Sequence, residues 1–124
     1  MEFIFDNERP IYLQLVEQLI IFIVSGKFKP GDKIPSVRDL ALQAKVNPNT
    51  MQKALQDLED KELIYTERTN GKFVTNNRKK IDNFKKALAL EKVNKYVDEM
   101  NNIGISYEDS INYLKELGGK KWIY

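Results

Sequence analysis

Apolar residues change their spacing several times along this chain, and each change marks an element. Between residues 11 and 24, Ile11, Leu15, Leu19, Phe22 and Ile23 recur at helical spacing. Leu13, Val16, Ile20 and Val24 form a second apolar stripe on the same segment. A helix apolar on two sides packs on two sides, within its own chain or against a second one. Pro10 suits the first helical position, where its missing N–H costs nothing, and Ser25-Gly26 closes the helix.

"KFKPGDKIPS" follows as a turn-rich connector, with Pro30-Gly31 as its strongest turn signal. Ser36 and Asp39 make an S-x-x-D capping box ahead of Leu40, Ala41 and Ala44, which opens a helix. That helix is short, because the residue before a proline avoids helical geometry and Asn47 precedes Pro48. Asn47 is also a good N-cap and Pro48 a good first residue for the next helix. Met51, Ala54, Leu55 and Leu58 are its buried stripe. Two short helices joined by a tight turn form a helix-turn-helix.

The period then falls to two. Leu63 to Arg68 reads as a strand, "TNGK" holds an Asn-Gly hairpin signal, and Phe73-Val74-Thr75 reads as the returning strand. A hairpin in this place is a wing. After the basic run Arg78-Lys79-Lys80, Ala87, Leu90, Val93, Val97 and Met100 predict a helix of roughly twenty residues. "NNIGI" breaks it. Ser106 and Asp109 form another capping box, opening a helix with Tyr107, Ile111, Leu114 and Leu117 apolar, which Gly118-Gly119 stops. The expected fold class is therefore mainly α with a small β-hairpin. A winged helix-turn-helix spans residues 1–76 and two helices occupy residues 77–124.

Composition narrows the chemistry. The chain has 124 residues and contains neither cysteine nor histidine. Disulfides, thiol nucleophiles, Cys/His zinc sites and histidine general bases are excluded, and a cytoplasmic location is favoured. The apolar stretch Ile11 to Val24 is too short to cross a bilayer and follows an acidic N-terminus unlike a signal peptide. Adjacent acids such as Glu59/Asp60 and Asp98/Glu99 do not face one another on a helix, and the glycines form no phosphate loop. No nucleophile–base set is visible, so no enzyme and no cofactor is expected.

Formal net charge is +2, unevenly spread. Residues 1–75 carry 10 Lys+Arg against 11 Asp+Glu, so this half cannot bind DNA through bulk charge and needs a few local cations. On a wheel at about 100° per residue, Asn49, Gln52, Lys53 and Gln56 share an arc opposite the buried stripe. Asn and Gln match the N7/N6 edge of adenine, and lysine suits a phosphate or guanine. The same arc also describes an ordinary solvated face. The capped helix before it and the Asn-Gly wing after it favour base reading by the helix N-terminus. Arg38 lies near the positive end of its own helix, which invites a phosphate or a base edge. A surface ion pair is the plainer alternative. Asn70, Gly71 and Lys72 sit where a wing tip would touch minor groove or backbone, and Gly71 serves the turn in either case.

These motifs occur in a recognisable order. "PIYLQL", the "SGKFKPGDKIPSVRDLA" block, "VNPNTMQKAL" and the wing end "GKFV" resemble the winged helix-turn-helix of the GntR family of bacterial transcription regulators, over Pro10 to Val74. With "VNPNT" and a short tail, the chain is similar to the YtrA-like subfamily. The resemblance implies DNA contacts at Ser36, Arg38, Asn47, Asn49, Thr50, Gln52, Asn70 and Gly71; Lys53 is added from the helical arc alone. It implies a homodimer on a palindromic double-stranded operator, repression rather than activation, and transporter genes as targets. It also makes residues 77–124 a dimerisation segment, built on Leu90, Val93, Val97, Met100, Ile111 and Leu114. Two departures stand out: Glu62 replaces the glycine usual before "LI", and the wing reads "ERTNGKF" in place of an Arg-Gly pair. The rival expectation is a winged helix that docks a protein partner, to which the negative balance of residues 1–75 gives some support. Trp122 and Tyr124 are open to three roles: a frayed end, dimer packing, or the lining of an effector pocket. No effector is identified by the sequence.

Overall fold

The computed structural model describes residues 2–118. They form α1 (Ile11–Val24), α2 (Val37–Ala44), α3 (Pro48–Asp60), β1 (Ile64–Glu67), β2 (Gly71–Val74), α4 (Arg78–Asn102) and α5 (Tyr107–Leu117). The fold class is as expected: helices plus one two-stranded antiparallel sheet, a winged helix. The chain divides into two compact units, Met1–Lys85 and Lys86–Tyr124.

In the first unit, α1, α2, α3 and the hairpin converge on one core. Leu15, Leu19 and Ile23 come from α1, Leu40 from α2, and Met51, Leu55 and Leu58 from α3. Leu63, Ile64 and Val74 close it from the wing side. Each such side chain removed from water contributes about 1.5–3 kcal/mol.

The second stripe of α1 is partly hidden within the chain itself. Val16 and Ile20 are buried and Val24 is half-buried, while Leu13 stays exposed. The N-terminal segment lies antiparallel along one side of this helix. Gln18 exchanges two hydrogen bonds with the Ile4 backbone, at 3.0 and 2.7 Å. Buried Gln14 accepts from the Asp6 N–H at 2.9 Å and donates to the Asp6 and Arg9 carbonyls at 3.0 and 2.8 Å. Phe3 meets Phe22 edge-on at 5.2 Å. Residues 14, 18 and 22 lie on one helical row, so two glutamines inside an apolar run act as a backbone clamp. Pro10 stands one position earlier than expected, as the N-cap rather than the first helical residue.

The wing forms with Ile64 opposite Val74 and Tyr65 opposite Phe73, whose rings stack at 5.7 Å. Its turn takes three residues, 68–70, so that Gly71 pairs with Glu67. The connector before α2 joins the sheet edge: Val74 N–H donates to Asp32 O at 2.9 Å, and Ile34 N–H to Lys72 O at 3.0 Å. Gly31 is required there. Its φ is +81°, and a Cβ would meet the Asn76 side-chain oxygen at 2.6 Å.

α4 has 25 residues, longer than the periodicity suggests. It takes in the basic run because the Asn77 side chain accepts from the Lys80 N–H at 3.1 Å and caps the new start. In the second unit α4 ends at a left-handed Gly104, and Ser106 caps α5 by accepting from the Asp109 N–H at 3.1 Å. The Tyr96 hydroxyl donates to the Ser110 carbonyl at 2.6 Å, tying the two helices together. Leu90, Val93 and Leu114 are exposed, whereas Val97, Met100 and Ile111 are half-buried. Trp122 and Tyr124 lie outside the described residues.

Candidate nucleic-acid interface

The turn between α2 and α3 sets the geometry of the site. α2 begins on Ser36, whose hydroxyl accepts from the Asp39 N–H at 3.1 Å. It ends at Lys45, a left-handed residue with φ 56° and ψ 45°. Val46 N–H donates to Ala41 O and Lys45 N–H to Leu42 O, the paired bonds of a Schellman end. This reverses the chain within a few residues. Asn47 then accepts from the Asn49 N–H at 2.7 Å, Pro48 starts α3, and the helix runs away from the cap with its apolar stripe on the core.

Burial of Met51, Ala54, Leu55 and Leu58 fixes the rotation of α3. Asn49 and Gln52 are left exposed on its first two turns, with Thr50 half-buried beside them. Arg38 is exposed on the first turn of α2. A depression of about 450 Å³ lies between these helices and brings Arg38, Leu42, Lys45 and Pro48 together. A cleft of about 370 Å³ lies between the start of α2 and the wing and brings Ser36, Lys33, Arg68 and Gly71 together.

The arc on α3 does not behave as a unit. The Lys53 ammonium leans back toward α1 and lies 5.8 Å from the centre of the Tyr12 ring. Tyr12 in turn donates to Asp57 at 3.3 Å; desolvation, then the Asp57 charge, raises its pKa. Gln56 donates to Asp60 at 3.0 Å. Asn49 and Gln52 point outward without such a tie among the described residues. At the wing tip, the Asn70 amide donates to Glu67 at 3.0 Å and Gly71 takes φ +105°. Gly71 also faces Lys33: a Cβ there would come 3.2 Å from Lys33 Cε. Asn47 spends its side-chain oxygen on the cap and keeps its NH₂ free of any described bond.

Lys33, Lys45 and Arg68 are further cations of this surface, beside Arg38. Lys45 had one signal: a helix must end before Val46-Asn47-Pro48, so its last side chain stands at the turn. Lys33 lies in the connector, three residues ahead of the Ser36 cap. Nothing local marks it as lying under the wing.

Ion pairs engage four acids and three cations of residues 1–75. Glu17 pairs with Arg9 at 2.9 Å, Asp57 with Lys61, Glu59 with Lys72 at 3.6 Å and Glu62 with Lys80 at 2.6 Å. The Lys80 ammonium also holds the Glu62 carboxyl below its usual range. Lys33, Arg38, Lys45, Lys53 and Arg68 make no ion pair among the described residues. Asp32, Asp39 and Glu67 of the same region are likewise without an ion pair among the described residues, so the four cations Lys33, Arg38, Lys45 and Arg68 outnumber them by one.

Glu62 shows how this chain manages without the usual glycine. It is left-handed, with φ 61°. Leu63 N–H donates to Leu58 O at 3.0 Å and Glu62 N–H to Glu59 O at 2.9 Å, so α3 ends in the same Schellman bonding as α2. The wing starts in register. Among the described residues no group of three or more acidic side chains could hold a metal, and no helix is long and apolar enough to cross a membrane.

Comparison with known proteins agrees with this geometry. The profile of the family described as "Bacterial regulatory proteins, gntR family" matches residues 11–74. The HTH-type transcriptional repressor YtrA of Bacillus subtilis is 35% identical over 121 residues, covering 93% of each chain. The HTH-type regulator YhcF of the same organism is 35% identical over 111 residues, covering 90% of this chain and 92% of its own. A GntR family transcriptional regulator from Listeria monocytogenes superposes with a TM-score of 0.85 at 38% identity, over 90% of this chain and 98% of that one. The DNA-binding domain of AraR, solved in complex with operator ORX1, superposes with a TM-score of 0.55 at 32% identity, over 60% of this chain and 96% of that one. The capped α2, the tight Lys45 turn, the outward Asn49 and Gln52 and the wing thus fall inside the matched segment, and the chain belongs to the gntR family of bacterial regulatory proteins, among its YtrA-like members.

Proposed function

We propose that this protein is a sequence-specific DNA-binding transcriptional repressor, acting as a homodimer on a palindromic operator and not as an enzyme. The observation that carries the reading is the exposed pair Asn49 and Gln52 on the first turns of a helix whose apolar stripe is locked in the core. Amides at that place can hydrogen-bond adenine edges in a major groove. Unpaired Arg38 beside them supplies a cation for a guanine edge or a phosphate, and the free amide of Asn47 and the Thr50 hydroxyl are within the same surface. Ser36 offers its hydroxyl at the start of α2, where an anion is favoured. Asn70 and Gly71 present the wing to the adjacent backbone or minor groove. Lys53, held over Tyr12, serves as a phosphate contact on the flank of the helix rather than as a base reader.

Residues 1–76 form the reading part and residues 77–124 the dimerisation part. Leu90, Val93, Val97, Met100, Ile111 and Leu114 supply apolar surface for the second copy. Dimeric reading places two recognition helices in successive major grooves, about one helical turn apart. YtrA of Bacillus subtilis carries "repressor" in its name, which supports repression here, and transporter genes in the cytoplasm of a bacterium are the targets we infer.

A mobility-shift titration on the protein's own promoter tests this. A saturable complex, lost when adenines of the half-site are replaced and weakened steeply by salt, is expected. Equal binding to unrelated duplexes at matched salt would sink it.

A further inference from the structure

The depression between α2 and α3 has a chemistry that hydrogen-bond reading does not use. It is lined by the apolar Ala41, Leu42, Val46 and Pro48 together with Arg38 and Lys45. Leu42 is 71% exposed there, the most open leucine in the described residues. Neither cation has an ion-pair partner among the described residues. An apolar hollow with two unpaired cations in its lining suits an apolar group carried by a polyanion better than the face of a protein.

Position decides which apolar group. Pro48 is the first residue of α3, directly before Asn49, and N-terminal residues of such a helix are the ones that reach base edges. The apolar feature of a major groove is the 5-methyl group of thymine. We infer that the Leu42–Val46–Pro48 hollow reads a thymine methyl in each half-site, next to the bases met by Asn49 and Gln52. The inference rests on the DNA-binding reading above and deepens it by adding a base that hydrogen bonds leave unread. Pro48 has no N–H and Leu42 no polar atom, so contact of this kind is the readout available to them. Arg38 and Lys45 hold the flanking phosphates and bring the methyl down onto the hollow.

Deoxyuridine differs from thymidine only by that methyl, which makes the test specific. The tightest-binding duplex selected by the full-length protein from a randomised library is resynthesised with each thymine replaced in turn by uracil. Affinities are read by fluorescence anisotropy. One position per half-site is expected to lose about fourfold, the worth of burying one methyl-sized group. Leu42→Ala removes no core contact, and it should abolish the sensitivity at that position while leaving the loss on adenine replacement opposite Asn49. Full affinity for a duplex with every thymine replaced, or a selected half-site without thymine, overturns the inference and leaves the DNA-binding function standing. A protein partner at the same hollow would show as that outcome together with a Leu42→Ala variant of unchanged operator affinity. If no sequence is enriched from the library, both readings fail together.

Discussion

The two units of this chain use apolar residues at the same helical spacing and hide them to opposite degrees. In Met1–Lys85, the stripes of α2 and α3, the inward faces of the hairpin and most of α1's apolar residues go into one core, with Ile11 and Leu13 left exposed at the start of α1. In Lys86–Tyr124, Leu90 is 59% exposed, Val93 56% and Leu114 51%, and the one buried side chain among its described residues is the polar Ser110. Period alone predicts a helix in both cases. What it cannot supply is the surface that the stripe will cover. Three helices and a hairpin cover one another, but a piece as short as the second unit has too little surface to make a core of its own. Its exposed stripe is the surface that the proposed dimer would cover, and variants that separate stability from association test that proposal.

Leu55→Ala should have the largest effect. The residue is fully buried on α3, and removing its side chain leaves a cavity beneath the recognition helix. A cost of about 2–5 kcal/mol is expected, the same at every protein concentration. Denaturant melts of the variant and the parent at two concentrations would check it. A difference between the two that changes with concentration would show that the first unit does not hold its own core.

The matching change in the other unit is Leu90→Asp with Leu114→Asp. Both positions are open in the chain, so the fold of each helix should survive. Sedimentation should show a monomer, and operator affinity should fall on the order of a hundredfold as two linked half-site contacts become one. A variant that remains dimeric would move the interface elsewhere, with the exposed Leu13, Ile11 and Ile21 of α1 as the next surface to test.

Arg38→Ala isolates the reading surface without touching either apolar system. Arg38 is exposed and unpaired among the described residues, so thermal stability should not change. Specific binding should weaken by about 1–3 kcal/mol. Unchanged affinity at matched salt would remove Arg38 from the interface.

Legibility followed how local each determinant is. The Ser36 and Asn47 caps and the stripe of α3 are written within a few residues, and each stands where the pattern puts it, whereas the Asn-Gly step marks the hairpin but not its turn over 68–70, which leaves Gly71 in the returning strand. Asn49 and Gln52 were readable for the same reason: a buried stripe fixes the opposite face. The Gln14 and Gln18 clamp was not, because its partners lie up to fourteen residues away and glutamine in an apolar run looks only like an interruption. Lys53 shares the arc of Gln52, yet its long side chain reaches back to Tyr12, forty-one positions earlier in the chain. Lys33 under the wing depends on the same kind of distant meeting.

The smallest predicted effect joins stability and function at one residue. α4 closes on a left-handed glycine, Gly104, with Ile105 N–H bonded to Met100 O. α2 closes on the same bonding with Lys45, a residue that has a Cβ to accommodate at φ 56°. Lys45→Gly relieves that strain and should stabilise the fold by about 0.5–1 kcal/mol, seen as a higher melting temperature. It also removes a cation from the lining of the α2–α3 hollow. Operator binding should weaken, and the slope of log affinity against log salt should fall by about two, one phosphate contact in each half-site. Glu62→Gly at the end of α3 relieves a similar left-handed strain, but its carboxylate pairs with Lys80 rather than facing the reading surface. Its operator affinity and salt slope should stay as they are. If Lys45→Gly is both more stable and an equally good binder, the lysine was merely tolerated at the turn. If it gains stability while losing about two units of salt slope, the strained residue is kept at this helix end for the phosphate it holds.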